Sequence, residues 1–431
     1  MSTSTGAPTT DDIVAPEKVV LVSWKPTIAF GVVTLIGFIL FVLLRRPADS
    51  STFRLATPTD FIALPDLVLP AFATGVVALV LLAALTVFNA VRVRAKKKTA
   101  LWIAVVFAAV FMVAFLTWAS AGAVTGLSVP GLLVGTVTLS VPLVFGAMSG
   151  VLSERVGVVN IAIEGQLLAG AFSSALVASV TGSAVLGLLA AAVAGMLVSL
   201  VLAAFSIKYF VDQVIVGVVL NVLVIGLTNF LYTQVLSSNA PLLNNPERLP
   251  KLPIPILSQI PLIGQPLFNQ RVIVYVMYLT VAAVYFGLFH TKWGLRLRAV
   301  GEHPTAADTV GIKVNRTRFW NVSLAGAIAG FGGAFLTLGL LGQFSKEMTA
   351  GAGFIALAAV IFGRWDPIRA TLAALLFGFA TNLQNVLGQL GSPVPSEFML
   401  MLPYLVTIFA VAGLVGRVRG PAASGKPYIK S

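Results

Sequence analysis

Three polar side chains interrupt a strongly apolar stretch of this sequence: Asn160, Glu164 and Gln166. Their amides can donate and accept hydrogen bonds, and the carboxylate can accept them or bind a cation. Such groups are costly inside a membrane unless protein or a wet cavity surrounds them. They therefore predict either a path for a polar solute or a structural role, in which Glu164 caps a helix end or pairs with a neighbouring span.

The spacing of these residues leaves the local structure open. Asn160 and Glu164 are four residues apart and share one face if the segment is helical. Gly157 and Gly165 also permit a broken helix, which can present backbone groups to a solute.

Further amides lie in other apolar stretches. Asn221 stands eight residues from both Gln213 and Asn229, and a second group follows near the end of the chain. These amides can line a path or hydrogen-bond helices together. The predicted solute path comprises Asn160, Glu164, Gln166, Asn221, Asn382, Gln384 and Asn385.

A second kind of site is suggested by a polar, basic loop, residues 292–313, between two apolar stretches. Pro304 suits the first turn of a helix, and Thr305 to Val310 can form about two turns. Gly311 can end that helix in a left-handed conformation. We expect a short helix at the membrane surface that can contact a soluble partner.

Composition defines the fold class. Hydrophobic residues make up 58% of the 431 residues and charged residues 10%, against about 25% charged in soluble domains. Because about 20 apolar residues cross a bilayer, we expect an all-α, polytopic transmembrane bundle of about 10–12 spans. The candidate spans are 26–44, 67–90, 100–119, 130–150, 158–180, 184–206, 213–236, 271–291, 320–342, 350–364, 369–390 and 399–416.

Most of the 28 Lys and Arg residues fall on one side if both termini are cytoplasmic. The net charge of +13 then reflects topology and attraction to membrane lipids rather than nucleic acid. We expect a disordered cytoplasmic tail (1–25), accessory spans (26–125), a membrane core that contains the polar residues (126–416) and a solvated cytoplasmic tail (417–431).

Several kinds of chemistry are excluded or unsupported. The chain has no Cys, so disulfides and thiolate metal sites are impossible. It lacks a Walker-type phosphate-binding motif, and neither a Ser-His-Asp arrangement nor paired carboxylates in a cleft is evident. We therefore predict no enzyme, cofactor or metal in this chain itself, and any ATP must bind a partner subunit.

Two long motifs carry a family resemblance. Ser153-Glu154-Arg155 with Gly157 to Gln166, followed by Leu295 to Pro304 and Ser323 to Gly330, resembles nucleoside and simple-sugar permeases of the ribose and branched-chain amino acid permease superfamily. The similarity covers residues 130–416. Ala306, Ala307 and Gly311 resemble the coupling loop of ATP-binding cassette importers, although Thr305 stands where that motif usually has Glu.

The resemblance implies a permease in a bacterial plasma membrane. Its partners would be cytoplasmic ATPase subunits, a second permease subunit (related or identical), an external substrate-binding lipoprotein and a nucleoside or sugar. ATPase coupling would involve Gly301, Glu302, Pro304, Ala306, Ala307, Asp308 and Gly311.

Two other functions remain open from the sequence. An ion-coupled secondary transporter of a neutral polar solute would use Glu164 as its ion site, but it leaves the basic loop without a purpose. A membrane scaffold would not need polar residues in several spans. Because few ionisable groups accompany the amides, a neutral solute is favoured over an amino acid or phosphate.

Overall fold

The computed structural model describes residues 23–44, 49–391, 397–398, 401 and 420–429. Within them the helices are α1 (Lys25–Phe38), α2 (Ala71–Arg94), α3 (Leu101–Ala119), α4 (Val129–Arg155), α5 (Ile163–Thr181), α6 (Ala184–Ala203), α7 (Gln213–Leu231), α8 (Ala240–Leu243), α9 (Gly264–Phe268), α10 (Val272–His290), α11 (Lys292–Glu302), α12 (Pro304–Thr309), α13 (Val314–Ala334), α14 (Ala352–Phe362) and α15 (Pro367–Gln389). Helices α1, α6, α7 and α13 continue into π-helical turns, Ile39–Leu43, Ala204–Lys208, Tyr232–Leu236 and Phe335–Leu341.

Ten helices in the described part of the chain are long and apolar enough to cross a membrane. This confirms an all-α, multi-pass membrane bundle. Two predicted spans need correction. In 158–180 the helix begins only at Ile163, and 350–364 contains the eleven-residue helix Ala352–Phe362, too short to span alone. The predicted span 399–416 lies outside the described residues except for Met401.

Short strands connect the helices. β1 (Ser50–Arg54) lies between β2 (Leu67–Pro70) and β3 (Leu127–Ser128), and it pairs with β3 in parallel. β4 (Lys251–Pro253) pairs with β5 (Asn269–Arg271) in antiparallel register.

The chain divides into two compact units. One combines Met1–Asp49 with Pro70–Trp118 and contains α1, α2 and most of α3. In this unit Phe30 stacks on Phe107 at 4.4 Å between ring centroids, and Asn89 Nδ2 donates to Thr27 Oγ1 over 2.8 Å.

The other unit combines Ser50–Leu69 with Ala119–Ser431 and holds every polar residue predicted for a site. Its core consists mainly of α4, α5, α6, α13 and α15. Glycines let these helices approach closely: a Cβ at Gly330 would lie 2.8 Å from the Ala191 carbonyl carbon. Small residues on α13 thus allow close helix packing.

Candidate translocation and coupling sites

The amino termini of α5 and α14 meet inside the second unit. Glu164, in the first turn of α5, accepts hydrogen bonds at Oε1 from the Thr349 hydroxyl (2.6 Å) and the Gly351 N–H (2.8 Å). Its Oε2 accepts the Gly353 N–H over 2.6 Å. Because the first N–H groups of a helix have no partner within it, the carboxylate serves as the cap of α14.

Asn221 on α7 performs the matching task for α5. Its Oδ1 accepts the Gly165 N–H and its Nδ2 donates to the Ile161 carbonyl, both over 2.8 Å. A single amide therefore satisfies backbone groups on both sides of the start of α5, where the membrane offers no water to do so.

The segment before α5 is not helical, so Asn160 and Glu164 do not share a helix face. Gly157 has φ of +92°, and the chain then runs irregularly to Ile163. Asn160 and Gln166 exchange hydrogen bonds over 3.1 and 2.9 Å, and both side chains are fully buried. Gln213 accepts the Val159 N–H over 2.7 Å. These amides stabilise the break in the helix.

The polar residues near the end of α15 lie elsewhere, at a cavity of about 460 Å³. Asn382 and Asn385 line it, whereas Gln384 is half-buried outside it. Asn382 also donates to the Leu132 carbonyl over 2.7 Å, which joins α15 to α4. The other polar side chains of the lining are Arg54, Thr125, Ser128, Thr138 and Gln389.

This cavity can bind a neutral polar molecule. Its lining contains amides, hydroxyls and apolar side chains, with Arg54 as the one charged residue among the described lining residues. Pockets for small molecules combine apolar walls with a few polar groups in this way. Of the predicted path residues, Glu164 and Asn221 therefore cap helices, and Asn160 and Gln166 bond to each other. Asn382 and Asn385 line the cavity, and Gln384 does not.

The basic loop folds into two helices. Thr291 Oγ1 accepts the Gly294 N–H and begins α11 (3.1 Å), and Pro304 stands at the first position of α12. Gly311 has φ of +84° immediately after α12. The predicted short helix and its glycine terminus are confirmed.

The coupling residues predicted on this loop divide into two faces. Gly301 is buried against Arg155, since a Cβ there would lie 2.9 Å from the Arg155 carbonyl carbon. Ala307 is also buried, whereas Ala306 and Glu302 are exposed and Pro304 is half-buried. Val310, 75% exposed, adds an apolar side chain to the open face. That open face is available for a protein partner.

Residues 420–429 pack on the same end of the unit. The sequence did not predict this segment as part of a site. The Ala423 N–H donates to the Gly301 carbonyl over 2.9 Å, and the Ala422 N–H donates to Glu302 over 3.2 Å. The buried Arg318 donates from Nη1 to the Lys426 carbonyl over 2.8 Å. Within the predicted solvated tail, Pro421, Ala423 and Tyr428 are buried, whereas the other residues of 420–429 are half-buried or exposed.

Tyr428 completes this packing. Its side chain is buried and its hydroxyl is hydrogen-bonded to Asp308, a half-buried residue of α12. Burial and then the bond to Asp308 raise the pKa of Tyr428 above its ordinary value, so the hydroxyl keeps its proton and donates. Within the sequence, Gly420, Pro421, Gly425 and Pro427 indicate that this segment is irregular, and nothing indicates which helices it contacts.

Helix α4 connects the irregular segment before α5 with the end of the unit that carries α11 and α12. Arg155, the last residue of α4, donates from Nε to the Trp365 carbonyl over 2.8 Å. Trp365 follows α14 and precedes α15, whose other end lines the cavity. Helices α4 and α15 therefore extend from the end of the unit that carries α11 and α12 to the cavity.

In the described part of the chain, ten membrane-length helices, the buried starts of α5 and α14 and a surface helix pair are typical of a multi-pass membrane transport component. The family model for the branched-chain amino acid transport system / permease component matches residues 132–411. The chain belongs to this family of permease components.

Curated relatives agree with this assignment. The guanosine ABC transporter permease protein NupQ of Bacillus subtilis is 41% identical over 305 residues, 68% of this chain and 95% of the relative. The nucleoside ABC transporter permease protein NupC of Lactococcus lactis is 41% identical over 301 residues, 68% of this chain and 94% of the relative. The glucose ABC transporter permease protein TsgB13 of Haloferax volcanii is 28% identical over 289 residues, 63% of this chain and 74% of the relative. No solved structure matches the chain.

Proposed function

We propose that this chain is the membrane-spanning subunit of an ATP-driven importer that takes up nucleosides across a bacterial plasma membrane. The observation that carries the proposal is its 41% identity to a guanosine permease over nearly the whole of that relative. The cavity beside α4 and α15 supports a neutral solute, because amides and hydroxyls line it without a carboxylate among the described residues.

The energy source in this proposal is a pair of cytoplasmic ATPase subunits on other polypeptides. They bind the open face of α12, whose exposed residues include Ala306 and Val310. A groove on the ATPase that covers Val310 would bury apolar surface, and burial of apolar surface stabilises association. A second permease subunit and an external lipoprotein that delivers the solute complete the assembly.

Movement of α12 reaches the solute site through packed helices. The Gly301 backbone contacts the Arg155 backbone directly, so a displacement of α11 acts on the end of α4. Arg155 passes it to Trp365 and α15. Helices α4 and α15 are in close contact along their length, since a Cβ at Gly378 would lie 2.9 Å from the Ser140 nitrogen. Tilting this pair changes access to the cavity.

Orientation and domain roles are part of the same proposal. Both termini and the α11–α12 pair lie in the cytoplasm, where most of the basic residues are then found. Residues 26–125 are accessory spans and 126–416 form the permease core. This places the cavity toward the outer surface, because it lies at the opposite end of α4 from Arg155.

The alternative of an ion-coupled carrier is not favoured. That hypothesis requires Glu164 to bind a proton or sodium ion. In the structure, the Glu164 carboxylate instead accepts three hydrogen bonds at the start of α14.

The test is uptake in proteoliposomes that contain the permease, its partner permease, the ATPases and the delivery protein. We expect labelled guanosine to accumulate only with ATP at the ATPase side, and excess nucleoside to compete while leucine and phosphate do not. Competition by leucine but not by nucleosides would overturn the solute class. Uptake driven by an ion gradient without ATP would overturn the importer.

A further inference from the structure

Two open cavities adjoin at the end of the second unit that carries α11. The first, of about 450 Å³, is lined by Lys208, Phe210 and Arg316, and the second, of about 320 Å³, by Trp293 and Arg296. Arg316 and Trp320 border both cavities. Three basic side chains and two indoles therefore line these two cavities, which share Arg316 and Trp320 at their border and together are called the depression.

The basic side chains are available to a ligand. Lys208, Arg296 and Arg316 are exposed. The Asp212 carboxylate, four residues after Lys208, caps α7 by accepting the N–H groups of Val214 and Ile215 over 2.9 and 3.1 Å. The depression thus concentrates positive charge where an anionic group can approach.

The side of the depression formed by α13 changes from basic to apolar along the helix. Arg316, Trp320 and Leu324 are four residues apart on α13 and so lie on one face of that helix. Trp320 is 54% exposed and Leu324 is 45% exposed. Tryptophan collects at the level of lipid headgroups and leucine in the acyl region, so this face passes from a cation through the interface to the hydrocarbon.

We propose that this depression binds an anionic phospholipid, with the phosphate between Lys208, Arg296 and Arg316 and the glycerol region against Trp293 and Trp320. A guanidinium pairs with phosphate oxygens through two parallel N–H groups. Basic pockets between membrane helices recognise charged headgroups in this way. The acyl chains follow the exposed apolar face that continues to Leu324.

The site also joins α11, which moves in the proposed importer, to two other elements. Arg296 belongs to α11, Arg316 to α13, and Lys208 to the π-helical turn after α6. A lipid phosphate held by all three links the coupling end to two membrane helices. The lipid proposal itself is independent of the identity of the solute and of the ATPase contact.

Native mass spectrometry of the full chain, purified from membranes that contain phosphatidylethanolamine and phosphatidylglycerol, tests the proposal. We expect phosphatidylglycerol to be retained by the native protein. The triple variant Lys208→Gln, Arg296→Gln, Arg316→Gln should retain about fivefold less, because its phosphate contacts are removed. A matched triple variant of exposed lysines outside the cavities, Lys292→Gln, Lys313→Gln, Lys251→Gln, loses the same charge and should retain the native amount.

Equal retention by both triple variants would overturn the site, since the attraction would then come from overall charge. Arg316→Gln alone, compared with Lys313→Gln, gives the same comparison if the triple variant is poorly folded. An excess of inorganic phosphate should not displace the lipid. Displacement by phosphate alone would assign the pocket to a free anion and overturn the lipid proposal.

A label on the apolar wall gives an independent readout. The chain has no Cys, so Leu324→Cys carries the one thiol of the protein. The electron paramagnetic resonance spectrum of a spin label at this Cys should be broadened by phosphatidylglycerol that carries a second nitroxide near the headgroup end of its acyl chain. The broadening should be smaller when Arg316→Gln is added. Disulfide crosslinking of Leu324→Cys between copies of the chain, without lipid contact, would instead make this face a protein interface.

Discussion

Glu164 on α5 accepts the Gly353 N–H on α14 over 2.6 Å, across a sequence separation of 189 residues. One helix thereby supplies the N-terminal cap of another, and the negative charge stands at the positive end of the α14 dipole. The contact leaves room for no side chain at position 353, because a Cβ there would lie 2.5 Å from the Glu164 Cα.

Replacing Glu164 with Gln should destabilise the protein. The amide nitrogen cannot accept an N–H, so at least one of the donors from Thr349, Gly351 and Gly353 is left unpaired, at about 1–3 kcal/mol for a buried group. Thermal unfolding in detergent should occur at a lower temperature than in Glu247→Gln, an exposed carboxylate in a loop. Equal unfolding temperatures would show that Glu164 is not the cap that holds α14.

Gly353→Ala should be severely destabilising, since the new methyl group meets the α5 backbone. Gly388→Ala on α15 is its control: no heavy atom lies within 4 Å of the added Cβ, and Ala is favoured over Gly in helices by about 1 kcal/mol. Yield and thermal stability of the two purified variants measure the difference. Similar yields would mean that α5 and α14 can separate without loss of the fold.

Gly311→Val should uncouple transport from ATP hydrolysis. A β-branched residue is strained at φ of +84°, and the loop would shift the open face of α12. Co-purification of the ATPases and ATP-driven uptake should both fall. Gly311→Asn should retain most of both, because Asn tolerates the left-handed conformation. Since no heavy atom surrounds the added Cβ, a loss that is equal in the two variants would exclude backbone strain as the cause.

Asn385→Ala should weaken solute binding at the cavity. Loss of one hydrogen bond is worth about 1 kcal/mol, a roughly fivefold rise in KM for uptake. The adjacent Gln384→Ala removes an amide that does not line the cavity and should leave KM unchanged. The KM values of the two variants test whether the cavity binds the solute. A larger rise in KM for Gln384→Ala than for Asn385→Ala would mean that the solute binds elsewhere.

Tyr428→Phe should loosen residues 420–429 while it preserves the ring that is buried there. Without the hydroxyl, the bond to Asp308 on α12 is lost. We expect faster hydrogen exchange in this segment and in α12, with less ATP-driven uptake. Tyr285→Phe on α10 serves as the control. Unchanged exchange in α12 would argue against a link between this segment and the coupling helix.

The sequence predicted the bounds of α12 from local features. Pro304 and Gly311 act through their own backbone geometry, so their positions fixed where α12 begins and ends without knowledge of the rest of the fold. Hydropathy likewise predicted the long helices, because apolar length alone decides whether a helix can cross a bilayer.

Long-range contacts explain what the sequence could not predict. The sequence left open whether the segment at Asn160 is helical or broken, because Asn221, which caps the start of α5 at Gly165 and Ile161, lies more than 50 residues further along the chain. The polar residues were recognised as a group, but hydropathy gives no depth or direction to a side chain. Only the fold separates Glu164 at a helix start from Asn385 at the cavity.

The hydrogen bond from Ala422 to Glu302 spans 120 residues of sequence. During synthesis, α11 and α12 therefore leave the ribosome well before the segment that packs on them, and α13, α14 and α15 must be inserted in between. The surface formed by α11, α12 and residues 420–429 is therefore complete only after the last of these segments has been synthesised.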